Sequence, residues 1–196
     1  MIKEVTHRNG SLIPSRREKK VQNIKWGLVH KNVKLLSGIT ADERCFAWKV
    51  TQDMLPVGSR IFRKNAERRC LANLSNDNTC QEVQDLKHAF KDCDQVVDGH
   101  NMIVQVLNRF TERNISYDLL VHLAFNHRRK PKLKCAIWFA VKCMYNLFIK
   151  KMFNKEQIIR EMVKEIDWNL RLNRKVGSSA EMMKLKEILI EFNNVL

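Results

Sequence analysis

Three cysteines and one histidine share a short polar stretch of this chain, RRCLANLSNDNTCQEVQDLKHAFKDC, which covers residues 68–93. They are Cys70, Cys80, His88 and Cys93. Zinc in structural sites takes four such thiolate and imidazole donors in a tetrahedral arrangement. The pattern Cys-x9-Cys-x7-His-x4-Cys therefore predicts a Cys3His site for structural zinc. In the alternative interpretation, Cys70 packs against a core and the other two cysteines have no shared role.

The wide separation of Cys70 from Cys80 is the unusual feature of this pattern. Zinc modules commonly place their first two cysteines about two to four residues apart. The longer loop costs roughly 1 kcal/mol more in closure entropy, whereas a structural zinc site contributes about 10 kcal/mol or more to folding. The zinc hypothesis is therefore compatible with the long loop. A helical turn at His88 is expected to bring Cys93 to the same ion. His100 is close enough in sequence to substitute as a ligand, but this is the less favoured alternative.

The remaining cysteines and the N-terminal sequence bear on the cellular compartment. Cys45, Cys135 and Cys143 lie in apolar helical segments, so we expect all three in the core, as small hydrophobic side chains. The N-terminal sequence MIKEVTHRNGSLIPSRREKK lacks the continuous apolar segment of a secretory signal. We therefore expect an intracellular protein, nuclear or cytoplasmic, with reduced cysteines. The longest apolar run, CAIWFAV, is far shorter than the roughly 20 residues of a membrane span, so no membrane partner is expected.

The net charge indicates a polyanionic partner. The chain has 36 Lys and Arg against 21 Asp and Glu, a net charge of +15. Basic proteins gain sequence-independent affinity for nucleic acid from counterion release, so we expect RNA or DNA, contacted through its phosphate backbone. Two basic runs, RIFRKNAERR and HRRKPKLK, supply the candidate contacts: Arg60, Arg63, Lys64, Arg68, Arg69, Arg128, Arg129 and Lys130. The alternative is that both runs are solvated faces.

The elements that position these groups are expected to be helices. The chain has only six glycines and three prolines, and few such residues favour long helices. We predict a mostly α protein, a helical domain with a small irregular Cys/His insertion resembling a zinc knuckle. Capping patterns predict one helix between Ser15 and Gly38 and a second from Thr40 to the residue before Pro56. Helical spacing predicts further helices at 102–110, 155–175 and from Ser178 onward. The segment 118–125 is either helix or strand, with helix favoured. The segment 133–153 is apolar nearly all round, which predicts a buried central helix.

The order of these features resembles one known family, the zinc-binding region that follows the polymerase in reverse transcriptases of non-LTR (LINE-type) retrotransposons. The matching segments are FAWKVTQDMLPVGSRIFRK, Cys70, CQEVQDLKHAFKDC and CAIWFAVKCMYNLF, within roughly residues 40–150. The matching motif residues are Trp48, Lys49, Leu55, Pro56, Arg60, Arg63, Lys64, Asp85, Leu86, Lys87, His88, Phe90, Cys93 and Trp138. The family has a Cys-x2-Cys pair where this chain has Cys70 and Asn73. Either Cys80 substitutes after a short insertion, or the site is degenerate.

The resemblance implies a nucleic-acid-binding module that holds template RNA or target DNA, with a reverse transcriptase core supplied by another chain. We expect three parts, of which the resemblance covers the second: an N-terminal basic segment and helix (1–38), a zinc-binding-like region with its knuckle at 70–93 (39–150), and a C-terminal helical pair (151–196). We expect no enzyme, because the chain lacks an Asp-Asp pair for polymerase metals, a Gly-rich phosphate loop and a Gly-x-Ser-x-Gly motif. Two alternatives are a helical protein-interaction domain and an inactive retroelement remnant.

Overall fold

Helices make up most of the part of the chain that the computed structural model describes, namely residues 24–55, 70, 80, 82, 85–172 and 176–194. The helices are α1 (Trp26–Lys34), α2 (Ala41–Thr51), α3 (Val97–Thr111), α4 (Tyr117–Val121), α5 (Lys130–Phe148), α6 (Lys155–Arg171) and α7 (Ser179–Asn194). A π-helical turn, His88–Asp92, precedes α3. These ranges contain no strand, and the prediction of a mostly α fold is confirmed.

The start of α2 follows the predicted capping box. Thr40 Oγ1 accepts a hydrogen bond from the Glu43 backbone N–H at 3.2 Å, and Glu43 Oε2 accepts one from the Thr40 N–H at 2.7 Å. The end of α2 differs from the prediction, because the helix stops at Thr51 and not at the residue before Pro56. Asp53 adopts a left-handed backbone with φ of 54°, which a short polar residue tolerates and which ends the helix ahead of the proline.

Among the later helices, α7 begins at its predicted cap, whereas α6 and α4 end before their predicted positions. Ser178 Oγ accepts a hydrogen bond from the Glu181 N–H at 3.3 Å and so caps α7, as its sequence predicts. Helix α6 ends at Arg171, whereas the pattern predicted a helix to residue 175. The segment 118–125 is helical only as far as Val121, because Leu123 takes a left-handed φ of 52°.

Helix α5 lies at the centre of the described fold, as predicted. Its residues from Cys135 to Met144 are all buried, and it contacts α2, α3, α6 and α7. The Trp138 Nε1–H donates to the Gly38 carbonyl at 3.3 Å, which fixes the α1–α2 connection against α5. One hydrophobic cluster joins residues from α2 to α7, so the elements that carry the Cys/His group share the main core. No helix within the described ranges has the length and apolar character needed to cross a membrane.

A buried ion cluster ties three of these helices together. Lys142 of α5 lies 2.8 Å from Glu43 of α2 and 3.1 Å from Glu165 of α6, measured from Nζ to carboxylate oxygen. The Lys142 and Glu43 side chains are 8% and 7% exposed. Glu43 uses its other oxygen in the α2 capping box, so one carboxylate serves both contacts. Lys142, which interrupts the apolar sequence of α5, is therefore paired with two carboxylates.

The prediction of three core cysteines is right for two. Cys135 and Cys143 are buried in α5, and burial raises the pKa of the Cys135 thiol to about 12. The prediction was wrong for Cys45, which is exposed. The α2 positions that face the core are 43, 46, 47, 50 and 51, and at 3.6 residues per turn position 45 falls on the opposite side.

Replacing Gly38 with alanine is expected to lower the free energy of unfolding by about 1–3 kcal/mol. Gly38 has a φ of +68°, and an alanine Cβ would overlap the Val176 side chain. Gly27 is the matched control, because it lies in α1 and a Cβ there meets no described atom within 4 Å. Gly27→Ala is expected to be neutral or stabilising by up to about 0.5 kcal/mol. Urea unfolding checks both variants, and equal effects would contradict this account of Gly38.

Candidate metal centre

All four predicted ligand side chains converge in the structure. The Sγ atoms of Cys70 and Cys93 lie 3.6 Å apart. The Sγ atom of Cys80 lies 3.4 Å from Nε2 of His88, and all four donor atoms lie within 4.8 Å of one another. Neighbouring donors in a zinc tetrahedron with Zn–S and Zn–N distances of about 2.3 and 2.0 Å are separated by roughly 3.5–3.8 Å. The group could therefore hold a metal ion.

The thiols of this group are not joined by a disulfide. A disulfide needs a sulfur–sulfur distance of about 2.0 Å, whereas the Cys70 and Cys93 sulfurs are 3.6 Å apart, and none of the six cysteines forms a disulfide. Cys70, His88 and Cys93 are buried, and Cys80 is partly exposed. The centre therefore lies at the edge of the core, with Cys80 on its solvent side.

The π-helical turn places two of the four donors. The Cys93 N–H donates to the His88 carbonyl at 3.2 Å, which closes a turn between residues five apart. An α-helix, with 3.6 residues per turn, would direct two such residues to different sides. The wider π turn, a feature often found at functional sites, returns position 93 to the side of position 88. Sequence reasoning predicted a helical turn here and missed its π character, although the His-x4-Cys spacing matches an i to i+5 closure.

Contacts outside the group hold this turn in place. Asp85 Oδ1 accepts a hydrogen bond from the His88 backbone N–H at 2.8 Å and so caps the turn. Phe90 is 1% exposed and stacks on Phe148 of α5, with ring centroids 5.5 Å apart. It also meets Phe46 of α2 edge to face at 6.3 Å. The turn is therefore anchored to the bundle by aromatic packing, independently of a bound ion.

Burial disfavours uncompensated charge on the side chains of this group. Burial raises the pKa of the Cys93 thiol, and its hydrogen bonds with the Gln95 backbone and Cys70 only partly oppose this. Burial also lowers the pKa of Lys151, and the nearby Cys70 opposes that shift. The Lys151 ammonium lies 4.9 Å from the centroid of the Phe148 ring. A buried thiolate here therefore needs a positive charge, and Lys151 is one nearby source.

His100 does not belong to the group. It is buried in α3, with its ring 6.0 Å from that of Tyr117, and it is absent from the four donors that converge. Burial lowers the pKa of His100, so its imidazole favours the neutral form. The less favoured alternative, in which His100 substitutes as a ligand, therefore finds no support in this geometry.

The structure describes only one of the two basic runs. Arg60, Arg63, Lys64, Arg68 and Arg69 lie outside the described residues. Arg128, Arg129 and Lys130 are exposed at the start of α5. The metal centre packs near the other end of α5, through Phe90 and Phe148. The length of α5 thus separates this basic segment from the centre by roughly 27 Å, at a rise of 1.5 Å per residue.

The donor set is suited to a structural metal. Four protein ligands complete a tetrahedron and leave no open position for a substrate or a reactive water molecule. Among the described residues, Cys70, Cys80, His88 and Cys93 form the one group of histidine, cysteine or acidic side chains that could hold an ion. Comparison with family models, curated proteins and solved structures finds no match for this chain.

Proposed function

We propose that this chain is a nucleic-acid-binding zinc module, similar to the C-terminal zinc-binding region of non-LTR retrotransposon reverse transcriptases and without a polymerase or nuclease site of its own. The observation that carries the proposal is the convergence of Cys70, Cys80, His88 and Cys93 within 4.8 Å. The proposed partners are the phosphate backbone of RNA or DNA and a reverse transcriptase core on another chain.

Zinc suits this centre better than other common ions. Three thiolates and one imidazole are soft and borderline donors, whereas magnesium and calcium require oxygen ligands. When bound, Zn²⁺ would supply a cross-link between residues 70 and 80 and the π turn. Three thiolates and one neutral imidazole around Zn²⁺ carry one net negative charge. Lys151, which lies near Cys70, is placed to balance that charge.

The charge distribution supports the nucleic-acid part of the proposal. The chain has a net charge of +15, and Arg128, Arg129 and Lys130 form an exposed basic segment. Arginine guanidinium groups bind phosphate through paired hydrogen bonds and suit backbone contacts. Such contacts confer affinity with little sequence preference.

Affinity for single-stranded RNA or DNA is expected to fall steeply with salt. If six or more phosphates are contacted, the affinity should drop about a thousandfold or more between 50 and 200 mM salt. Fluorescence anisotropy with labelled oligonucleotides measures this. Alanine at Arg63, Lys64, Arg128 and Arg129 should abolish retention and flatten the salt dependence. Alanine at Arg44, Arg160, Lys164 and Arg171, four exposed cations of α2 and α6, is the charge-matched control and should have little effect.

A second candidate is a helical protein-interaction domain. Helix α6 and the residue after it expose Trp168 and Leu172, which are 53% and 46% exposed and lie one helical turn apart. Met183 and Ile190 of α7 are also exposed. Under this candidate, alanine at the four basic positions leaves partner binding intact. Affinity for oligonucleotides that stays flat from low to physiological salt would contradict the first proposal and favour this one.

A further inference from the structure

A basic cavity of about 440 Å³ lies where the end of α3 and the starts of α5 and α7 meet. Its charged lining contains five permanent cations and two carboxylates, with one histidine. The cations are Arg113, Arg128, Arg129, Lys132 and Lys184, the carboxylates are Glu112 and Glu181, and the histidine is His127. The cavity therefore has an excess of positive charge in a concave setting, which concentrates anions.

One carboxylate oxygen already bridges two of these cations. Glu112 Oε1 accepts hydrogen bonds from Lys132 Nζ at 2.8 Å and from Lys184 Nζ at 3.3 Å. These lysines hold the pKa of Glu112 at about 2, so the carboxylate is ionised near neutral pH. The Glu112 side chain is 68% exposed, whereas that of Lys132 is 5% exposed. The Glu112 carboxylate can therefore move into solvent, whereas the buried Lys132 ammonium still requires a negatively charged partner.

The arginines around this bridge lack carboxylate partners. Among the residues that the structure describes, the guanidinium groups of Arg113, Arg128 and Arg129 take part in no ion pair. All three side chains are exposed. His127 Nδ1 accepts a hydrogen bond from the Arg129 N–H at 3.0 Å and so fixes the backbone between them. Planar guanidinium groups favour phosphate oxygens, which they bind in pairs.

We propose that this cavity is a docking site for one phosphate group, which displaces the Glu112 carboxylate from Lys132 and Lys184 and is completed by the arginines. The inference rests on the proposed nucleic-acid function only for the source of the phosphate, a terminal monoester or a backbone diester of an oligonucleotide. Glu112 acts as the resident competitor. It neutralises the buried Lys132 in the free protein and lowers the affinity of the site for a second anion.

The test is titration of inorganic phosphate at constant ionic strength into the wild-type chain and the Glu112→Gln variant, with ³¹P NMR line broadening as the readout. Glu112→Gln is expected to bind phosphate roughly fivefold more tightly, because it removes the competing charge. Alanine at Arg128 and Arg129 is expected to weaken phosphate binding roughly tenfold. Glu161→Gln on α6 makes the same change of charge away from this cavity and should match the wild type.

Equal phosphate affinity in the wild type and in Glu112→Gln would overturn the proposal. So would phosphate binding that is insensitive to loss of both arginines in a variant with a normal melting curve. Oligonucleotides with a 5′-phosphate and with a 5′-hydroxyl then identify the source. Preference for the phosphorylated end assigns a monoester, whereas equal binding that is weakened by Arg128→Ala assigns the backbone diester.

The same measurements separate the two proposals. Inorganic phosphate that binds as expected, with no oligonucleotide binding at any salt concentration, supports the docking site and contradicts the nucleic-acid function. Oligonucleotide binding that falls on loss of Arg128 and Arg129 but is unchanged in Glu112→Gln, with no binding of inorganic phosphate, supports the nucleic-acid function and contradicts the docking site.

Discussion

Replacing Cys93 with serine is expected to abolish binding of the proposed zinc and to remove most of the stability of the fold. Cys93 is fully buried, and its sulfur lies 3.6 Å from that of Cys70. A structural zinc contributes about 10 kcal/mol or more to folding, which is comparable to the whole stability of a typical domain. The free energy of unfolding should therefore fall by about 5 kcal/mol or more. Thermal and denaturant unfolding of the purified variant measure this loss.

Cys45→Ser is the control for this prediction, because Cys45 is an exposed free cysteine outside the metal group. It should change stability by no more than about 0.5 kcal/mol. A chelator should bring the wild type down to the level of Cys93→Ser and leave that variant unchanged, since a metal that binds only the folded state stabilises it by mass action. If the chelator left the wild type unchanged while Cys93→Ser was still less stable, Cys93 would act through packing alone.

Replacing Lys142 with methionine is expected to lower the free energy of unfolding by about 3–5 kcal/mol. The side chain is 8% exposed and pairs with Glu43 at 2.8 Å and Glu165 at 3.1 Å. Methionine is close in size to lysine, so the packing of α5 is largely kept. The loss arises because the buried carboxylate of Glu43 is left without its cation. Urea unfolding at neutral pH measures the difference.

Lys164→Met provides the control for Lys142. The Lys164 side chain is 77% exposed and lies 3.9 Å from Glu161, so its loss should cost less than about 0.5 kcal/mol. Adding Glu43→Gln and Glu165→Gln to Lys142→Met should recover part of the stability, because the uncompensated charges are removed. The recovery should be incomplete, since Glu43 also caps α2. A Lys142→Met variant as stable as Lys164→Met would contradict the role of the ion cluster.

The helices were predictable where local chemistry determines them. The Thr40 and Glu43 side chains that define the start of α2 lie three residues apart in sequence. The apolar sequence of α5 is sufficient to predict that this helix is buried. Helix ends were less predictable, because residues with a left-handed backbone, such as Asp53 and Leu123, end their helices before any proline is reached. The position of Cys45 was predicted wrongly because a segment can be apolar on average while one of its faces meets solvent.

The ligand set was predictable from donor chemistry, but its geometry was not. The nine residues between Cys70 and Cys80 do not indicate how far apart the two sulfurs lie in space. In the fold, both sulfurs lie at the π turn that Phe90 anchors. The basic cavity was missed altogether. Glu112 and Lys184 are 72 residues apart in sequence, so no local pattern reports that one carboxylate meets two lysines.

X-ray absorption at the zinc edge, combined with metal analysis of the purified chain, tests the central claim most directly. We predict one zinc per chain, coordinated by three sulfur atoms at about 2.3 Å and one nitrogen atom at about 2.0 Å. The matching donors are those of Cys70, Cys80, Cys93 and His88. A purified, folded chain without stoichiometric zinc, or a coordination shell dominated by oxygen, would contradict the claim.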